Sequence, residues 1–260
     1  MEAVFLFFTF VLGLSTGSFL NVLIYRLPRS LKLTGRSFCP KCKKKISWYD
    51  NVPLLSFIFL KGKCRHCHSP ISWQYPLVEI STALLFVLVY QYFHSDLWLM
   101  VNSAATSFAY GLWLMSALIV IFFTDLKHRI IPDQVVYPTI AIAFLFQAYS
   151  LRSTVDSYLL AALGAGLFFL ILHLITRGKG MGFGDVKLAF LMGLVLGPLR
   201  VILALYLAFL TGAFTGVILI LAEKKKFGEQ IPFGPFLVGS TIVALFWGQE
   251  IVEWLTAYLF

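Results

Sequence analysis

The chain has 260 residues, of which 59% are hydrophobic and only 13% charged, with a mean hydropathy of +0.85 and a net charge of +9. Soluble domains carry about 25% charged residues, so this composition excludes a soluble domain. It reads as an all-α polytopic membrane protein.

The first uncharged run covers residues 3–25, 23 residues with no basic residue before them. A secretory signal core is shorter, roughly 7–15 residues, and follows a positive segment. Residues 1–25 therefore read as a retained transmembrane helix.

Residues 26–75 form a polar loop domain holding 11 of the 21 Lys and Arg residues against one acid, Asp50. Basic loops stay on the cytoplasmic side. Topology thus accounts for the basic excess, and no nucleic-acid partner is needed. All four cysteines lie here, Cys39 and Cys42 in "CPKC" and Cys64 and Cys67 in "CRHC", with 21 residues between the pairs. Two short knuckles can deliver four thiolates tetrahedrally, as a closed structural zinc site requires. A pair of reduced turns or a redox switch is the alternative. Stable disulfides are disfavoured in the cytoplasm. His66 and His68 are spare ligands. The flanks "ISWYDNVP" and "ISWQYP" suggest a duplicated knuckle unit, with Trp48 and Trp73 packed on the metal core or lying at the membrane interface.

Residues 76–260 form the multi-helix remainder. Spanning runs fall at 80–95 (extended back through Pro76), 97–124, 134–151, 157–176, 201–222 and 230–249. A further run, 186–199, covers about 14 residues, or roughly 21 Å of helix, and reads as thin, tilted or broken. If it spans, Lys224, Lys225 and Lys226 fall on the same side as the basic loop, giving about eight transmembrane helices with both termini outside. Glu79, near the start of the second helix, is costly against lipid. It is expected to be wet at the interface, paired with a basic group, or in contact with substrate or cofactor. His173, in an apolar run, reads as a packed or interfacial side chain.

Asp125 ends one apolar run in "FFTDLKHRIIPDQ", and Asp185 begins another in "GFGDVK", 60 residues later. Two crossings lie between them, so both are expected at the cytoplasmic boundary. Two close carboxylates cannot both ionise comfortably and share a proton. The charged partner can then serve as general base on water while the protonated partner polarises a scissile carbonyl. Such a pair titrates as a unit. Gly182 and Gly184 would let an extended substrate lie against the loop. Lys187 is a further candidate for substrate contact, or simply snorkels to the headgroups. Each acid also has a plainer reading as a solvated helix cap, and Asp133, after Ile-Pro, reads as a helix start.

"GMGFGDVK" with the earlier "DLKHRIIPD" resembles the bacterial type IV prepilin peptidases, the GxGD class of membrane aspartic proteases. "GSFLNVLIYRLP" at 17–28, the paired Cys-x-x-Cys and "YPLVEI" at 75–80 resemble the same family, over residues 13 to about 235. The resemblance implies Asp125 and Asp185 as the catalytic pair of an inner-membrane enzyme. Such an enzyme cuts the basic leader from prepilin or pseudopilin precursors at the cytoplasmic face. It also implies S-adenosylmethionine-dependent methylation of the new N-terminus, an activity associated with the amino-terminal cytoplasmic region. No glycine-rich cofactor fingerprint is present, so no cofactor-binding residue is assigned. The alternatives are a peptidase-only member with a structural zinc loop, a transporter whose membrane-edge acids relay protons, or a non-enzymatic scaffold of a pilus or secretion assembly.

Overall fold

The structure is a computed structural model that describes residues 2–97, 101–150, 155–178, 180–223 and 231–259. The chain divides into two compact units, Met1–Phe123 and Thr124–Phe260. Helices dominate both, because a helix satisfies its backbone polar groups within one segment, as lipid demands. Among the described residues six helices are long and apolar enough to cross a membrane, which makes this a multi-pass membrane protein.

The first unit holds α1 (Glu2–Arg26), the short α2 (Leu55–Phe59), α3 (Gln74–Leu97) and most of α4 (Val101–His128). A Cβ on Gly17 would lie 2.7 Å from the Glu79 Cα, so α1 and α3 approach more closely than any other residue would permit. The residues that follow in "GSFLNVLIYR" fasten the polar loop. Asn21 Nδ2 donates to the Tyr75 carbonyl at 3.1 Å. The buried Arg26 guanidinium donates to the carbonyls of Lys32, Leu33, Thr34, Gly35 and Arg36 over 2.8–3.3 Å. Arg26 thus completes the backbone hydrogen bonding of a strip that has no ladder of its own.

The two cysteine knuckles repeat with an offset of 25 residues. Cys39 N–H bonds Lys44 O and Ile46 N–H bonds Ser37 O. In the second copy Cys64 N–H bonds Ser69 O and Ile71 N–H bonds Gly62 O. Lys43 and His68 occupy equivalent positions and both adopt positive φ, 57° and 54°. Each copy forms one isolated bridge, Phe38 with Lys45 and Lys63 with Pro70, rather than a strand.

The second unit begins at Thr124 with the end of α4 and continues through α5 (Asp133–Ser150), α6 (Val155–Ile175), α7 (Phe183–Leu221) and α8 (Gly234–Leu259). The runs expected at 186–199 and 201–222 are the two halves of α7, which breaks at Gly197 (φ 73°, ψ −176°). That conformation is essentially restricted to glycine. Pro198 follows and has no N–H to give to Leu194 O, four residues back. Gln147 Nε2 of α5 takes up that carbonyl at 3.0 Å. Among the described residues the apolar runs fall on seven helices, two of the runs on α7, and six of these helices are long and apolar enough to cross a membrane, against the eight spans expected. At 18 residues with Pro138 inside, α5 is not among the six most apolar helices. The lysines at 224–226 lie outside the described residues.

Candidate aspartate pair and candidate metal centre

Asp125 lies in the last turn of α4 and is 6% exposed. Asp185 lies in the first turn of α7 and is 8% exposed. Their carboxylates are electrostatic neighbours. Each is held by one backbone N–H from a glycine at a helix start. Gly182 N donates to Asp185 Oδ2 at 3.0 Å, closing a capping-box contact on α7. Gly234 N, the first residue of α8, donates to Asp125 Oδ2 at 2.9 Å. Helix N-termini favour negative charge through their unpaired N–H groups and dipole. They offset part of the cost of burying two acids.

Close backbone approach shapes the surroundings. A Cβ on Gly234 would stand 2.6 Å from Asp125 Oδ2, and one on Gly184 would stand 2.9 Å from the Ile131 Cβ. Gly184 therefore serves the packing of α7 against the α4–α5 turn. His173 near the end of α6 is more than a packed side chain. Its Nδ1 lies 2.8 Å from Met181 O, and its ring meets Phe183, so it ties the Gly-rich loop to α6. Lys187 forms an ion pair with Asp133 and lies 5.2 Å from the ring centroids of Tyr137 and Phe183. Asp133 is the first residue of α5, as expected of a helix start. Gly234 carries no sequence signal of its own, since "PFGP" reads as an ordinary turn.

Glu79 departs from the expectation of a wet interfacial acid. It is 7% exposed, accepts the Leu54 N–H at 2.8 Å and is hydrogen-bonded by the Ser18 side chain. It thereby pins the loop to α1 and α3.

The four cysteines converge, with all four Sγ atoms within 4.8 Å of one another. They carry no disulfide and form a cluster that can hold a metal ion. The donor set fits a thiolate-binding cation. The Ser69 hydroxyl, 3.1 Å from Cys67 Sγ, and the Ser69 backbone hold the Cys67 thiol down to about 6. The Lys44 backbone lowers Cys42, but burial and the neighbouring thiols outweigh it and push Cys42 up to about 11. Four thiolates in this space need a cation to ionise together. His66 and His68 are not in the cluster. Trp48 and Trp73 are 82% and 71% exposed, so neither packs on the sulfurs. Outside the sulfurs, Arg65 grips Asp50 through both carboxylate oxygens at 2.6–3.1 Å, joining the two knuckle copies. That hydrogen-bonded guanidinium holds the Asp50 carboxyl below its usual range.

Residues 11–93 match the bacterial peptidase A24 N-terminal domain, and residues 112–217 match the type IV leader peptidase family. The chain is 34% identical to a prepilin leader peptidase/N-methyltransferase of Aeromonas hydrophila, over 96% of this chain and 93% of that protein. It is 34% identical to the protein of the same name from Vibrio cholerae, over 95% and 98%. The counterpart from Pseudomonas aeruginosa is 32% identical, over 96% and 92%. No solved structure matches the chain.

Proposed function

The chain belongs to the type IV leader peptidase family, and from that premise we propose that it removes the leader of prepilin-like precursors and then methylates the new N-terminus. The observation that carries the peptidase reading is the buried pair Asp125 and Asp185, electrostatic neighbours each held by a glycine N–H. The pair holds one proton between them. The ionised member takes a proton from a water, whose oxygen attacks the scissile carbonyl. The protonated member donates to the carbonyl oxygen, and the pair returns a proton to the leaving amine as the C–N bond breaks. Gly182 and Gly234 hold the two carboxylates for this exchange, His173 tethers the loop that carries Gly182, and Lys187 with Gly182 and Gly184 borders the substrate path.

The basic excess of residues 26–75 supports a cytoplasmic position for this loop in a bacterial inner-membrane protein. A prepilin with a positive leader and an apolar helix then presents its junction at that face. Zinc is the cation suited to four closed thiolates, and it acts as a staple for a loop too small to hold itself. S-adenosylmethionine supplies an electrophilic methyl carbon for the freed amine. This second activity belongs to the first unit, around residues 26–75. The peptidase belongs to the remainder of residues 76–260.

The direct test is incubation of detergent-purified protein with a prepilin-like peptide, with and without S-adenosylmethionine, followed by mass measurement. The expected products are the mature peptide and, with the methyl donor, the same peptide heavier by one methyl group. An uncut peptide would remove the peptidase assignment. A cut but unmethylated one would leave a peptidase with a structural loop.

A further inference from the structure

A cavity of about 750 Å3 lies between α1 and the first knuckle, lined by residues of the first unit. Small-molecule sites are typically roughly 300–1,000 Å3. One wall is a single face of α1 carrying Ser15, Ser18 and Phe19, and the facing wall carries Arg36, Trp48 and Asn51. We propose that this cavity is the S-adenosylmethionine site. The inference rests on the methyl-transfer reading above and goes beyond it by assigning residues.

The lining matches the parts of that molecule. A guanidinium at Arg36 suits the amino-acid carboxylate. The Asn51 amide offers a donor and an acceptor for ribose, and the Ser15 and Ser18 hydroxyls, whose protons go to Val11 O and Glu79, offer acceptor oxygens. Trp48 and the adjoining Tyr49 offer aromatic faces for adenine, and such rings also attract a sulfonium cation. Trp48 stands 82% exposed at this wall and meets the Tyr49 ring edge-on at 5.7 Å. An indole left so open on a wall of a cavity has a face to offer a ligand.

The walls are fixed before any ligand arrives. Arg26 clamps residues 32–36 through five carbonyls. Glu79 holds Leu54, just beyond the wall residues Val52 and Pro53. Arg65 holds Asp50, between Tyr49 and Asn51, to the second knuckle. A preformed wall lowers the ordering cost of binding. The buried Glu79 in "YPLVEI" and Arg26 in "YRLP" are thus positioning residues for this site, and the cysteine cluster holds the knuckle that carries Trp48.

The test uses the full-length, zinc-loaded protein in detergent. Calorimetry measures S-adenosylmethionine affinity for wild type, Trp48→Ala and Arg36→Ala, with bound zinc per chain as the folding control. Ultraviolet cross-linking of the radiolabelled methyl donor, with peptide mapping, gives an independent position. Loss of a stacked base predicts binding weaker by about ten-fold or more for Trp48→Ala at unchanged zinc content. The label is expected within residues 15–22 or 46–53. Wild-type affinity in both variants, with the label elsewhere, would overturn the site while leaving methyl transfer intact. A wild type that binds no methyl donor would overturn the site and methyl transfer together.

Discussion

A buried carboxylate needs hydrogen-bond donors, and the cheapest donors in a helical membrane protein are the unpaired N–H groups at helix starts. Asp185 uses the start of its own helix, and Asp125 borrows the start of α8. The first of these is visible in sequence, because Gly182 and Asp185 stand three apart at the edge of an apolar run. The second is not, since Gly234 lies 109 residues from its partner and nothing local marks it. The Asp125–Gly234 contact leaves no room for a methyl group. Gly234→Ala is therefore expected to displace the carboxylate. A misplacement near 1 Å costs on the order of 100-fold in rate. Leader cleavage by the purified variant should fall by about that factor with membrane insertion unchanged, and near-normal turnover would show that the contact is slack. His173→Ala removes a tether rather than a reacting group. It should slow cleavage several-fold less than Gly234→Ala does, in the same assay.

Secondary elements were legible where their apolar runs were long. The limits of α1, α4, α6 and α8 fall within a few residues of charge or glycine. What the runs could not reveal is that 186–199 and 201–222 share one broken helix, because a glycine-proline pair reads equally as a loop between helices. The repair by Gln147 depends on a helix 47 residues away. Gly197→Ala would force a Cβ into a left-handed conformation and within 3.0 Å of the Tyr158 ring. The expected cost is about 1–3 kcal/mol, read as an earlier thermal unfolding midpoint in detergent; an unchanged midpoint would mean that the break relaxes freely. The knuckle repeat is legible in the paired flanks, but Trp48 and Trp73 are left exposed rather than packed on the four sulfurs, and Trp73 meets Phe57 instead.

At the scale of the whole molecule, composition sufficed to establish a multi-pass membrane protein, and paired Cys-x-x-Cys sufficed to establish a metal-competent cluster. The cavity beside α1 was invisible, because its lining comes from three separated stretches that share no motif. Metal loading should depend on pH. Cys42, pushed up to about 11, is protonated at neutral pH, so a thiolate-binding cation must displace its proton. Apparent zinc affinity should therefore rise as pH rises from about 6 to about 8, measured by competition with a chromophoric chelator, and should collapse in Cys39→Ser or Cys64→Ser. A pH-independent affinity would mean that the cluster is already ionised. The proposed leader cleavage requires the two acids to act together. Asp125→Asn and Asp185→Asn, each purified from membranes at wild-type yield, should leave a prepilin-like peptide uncut by mass spectrometry under conditions in which wild type cuts it fully. Substantial cleavage by either variant would contradict a shared catalytic role for Asp125 and Asp185.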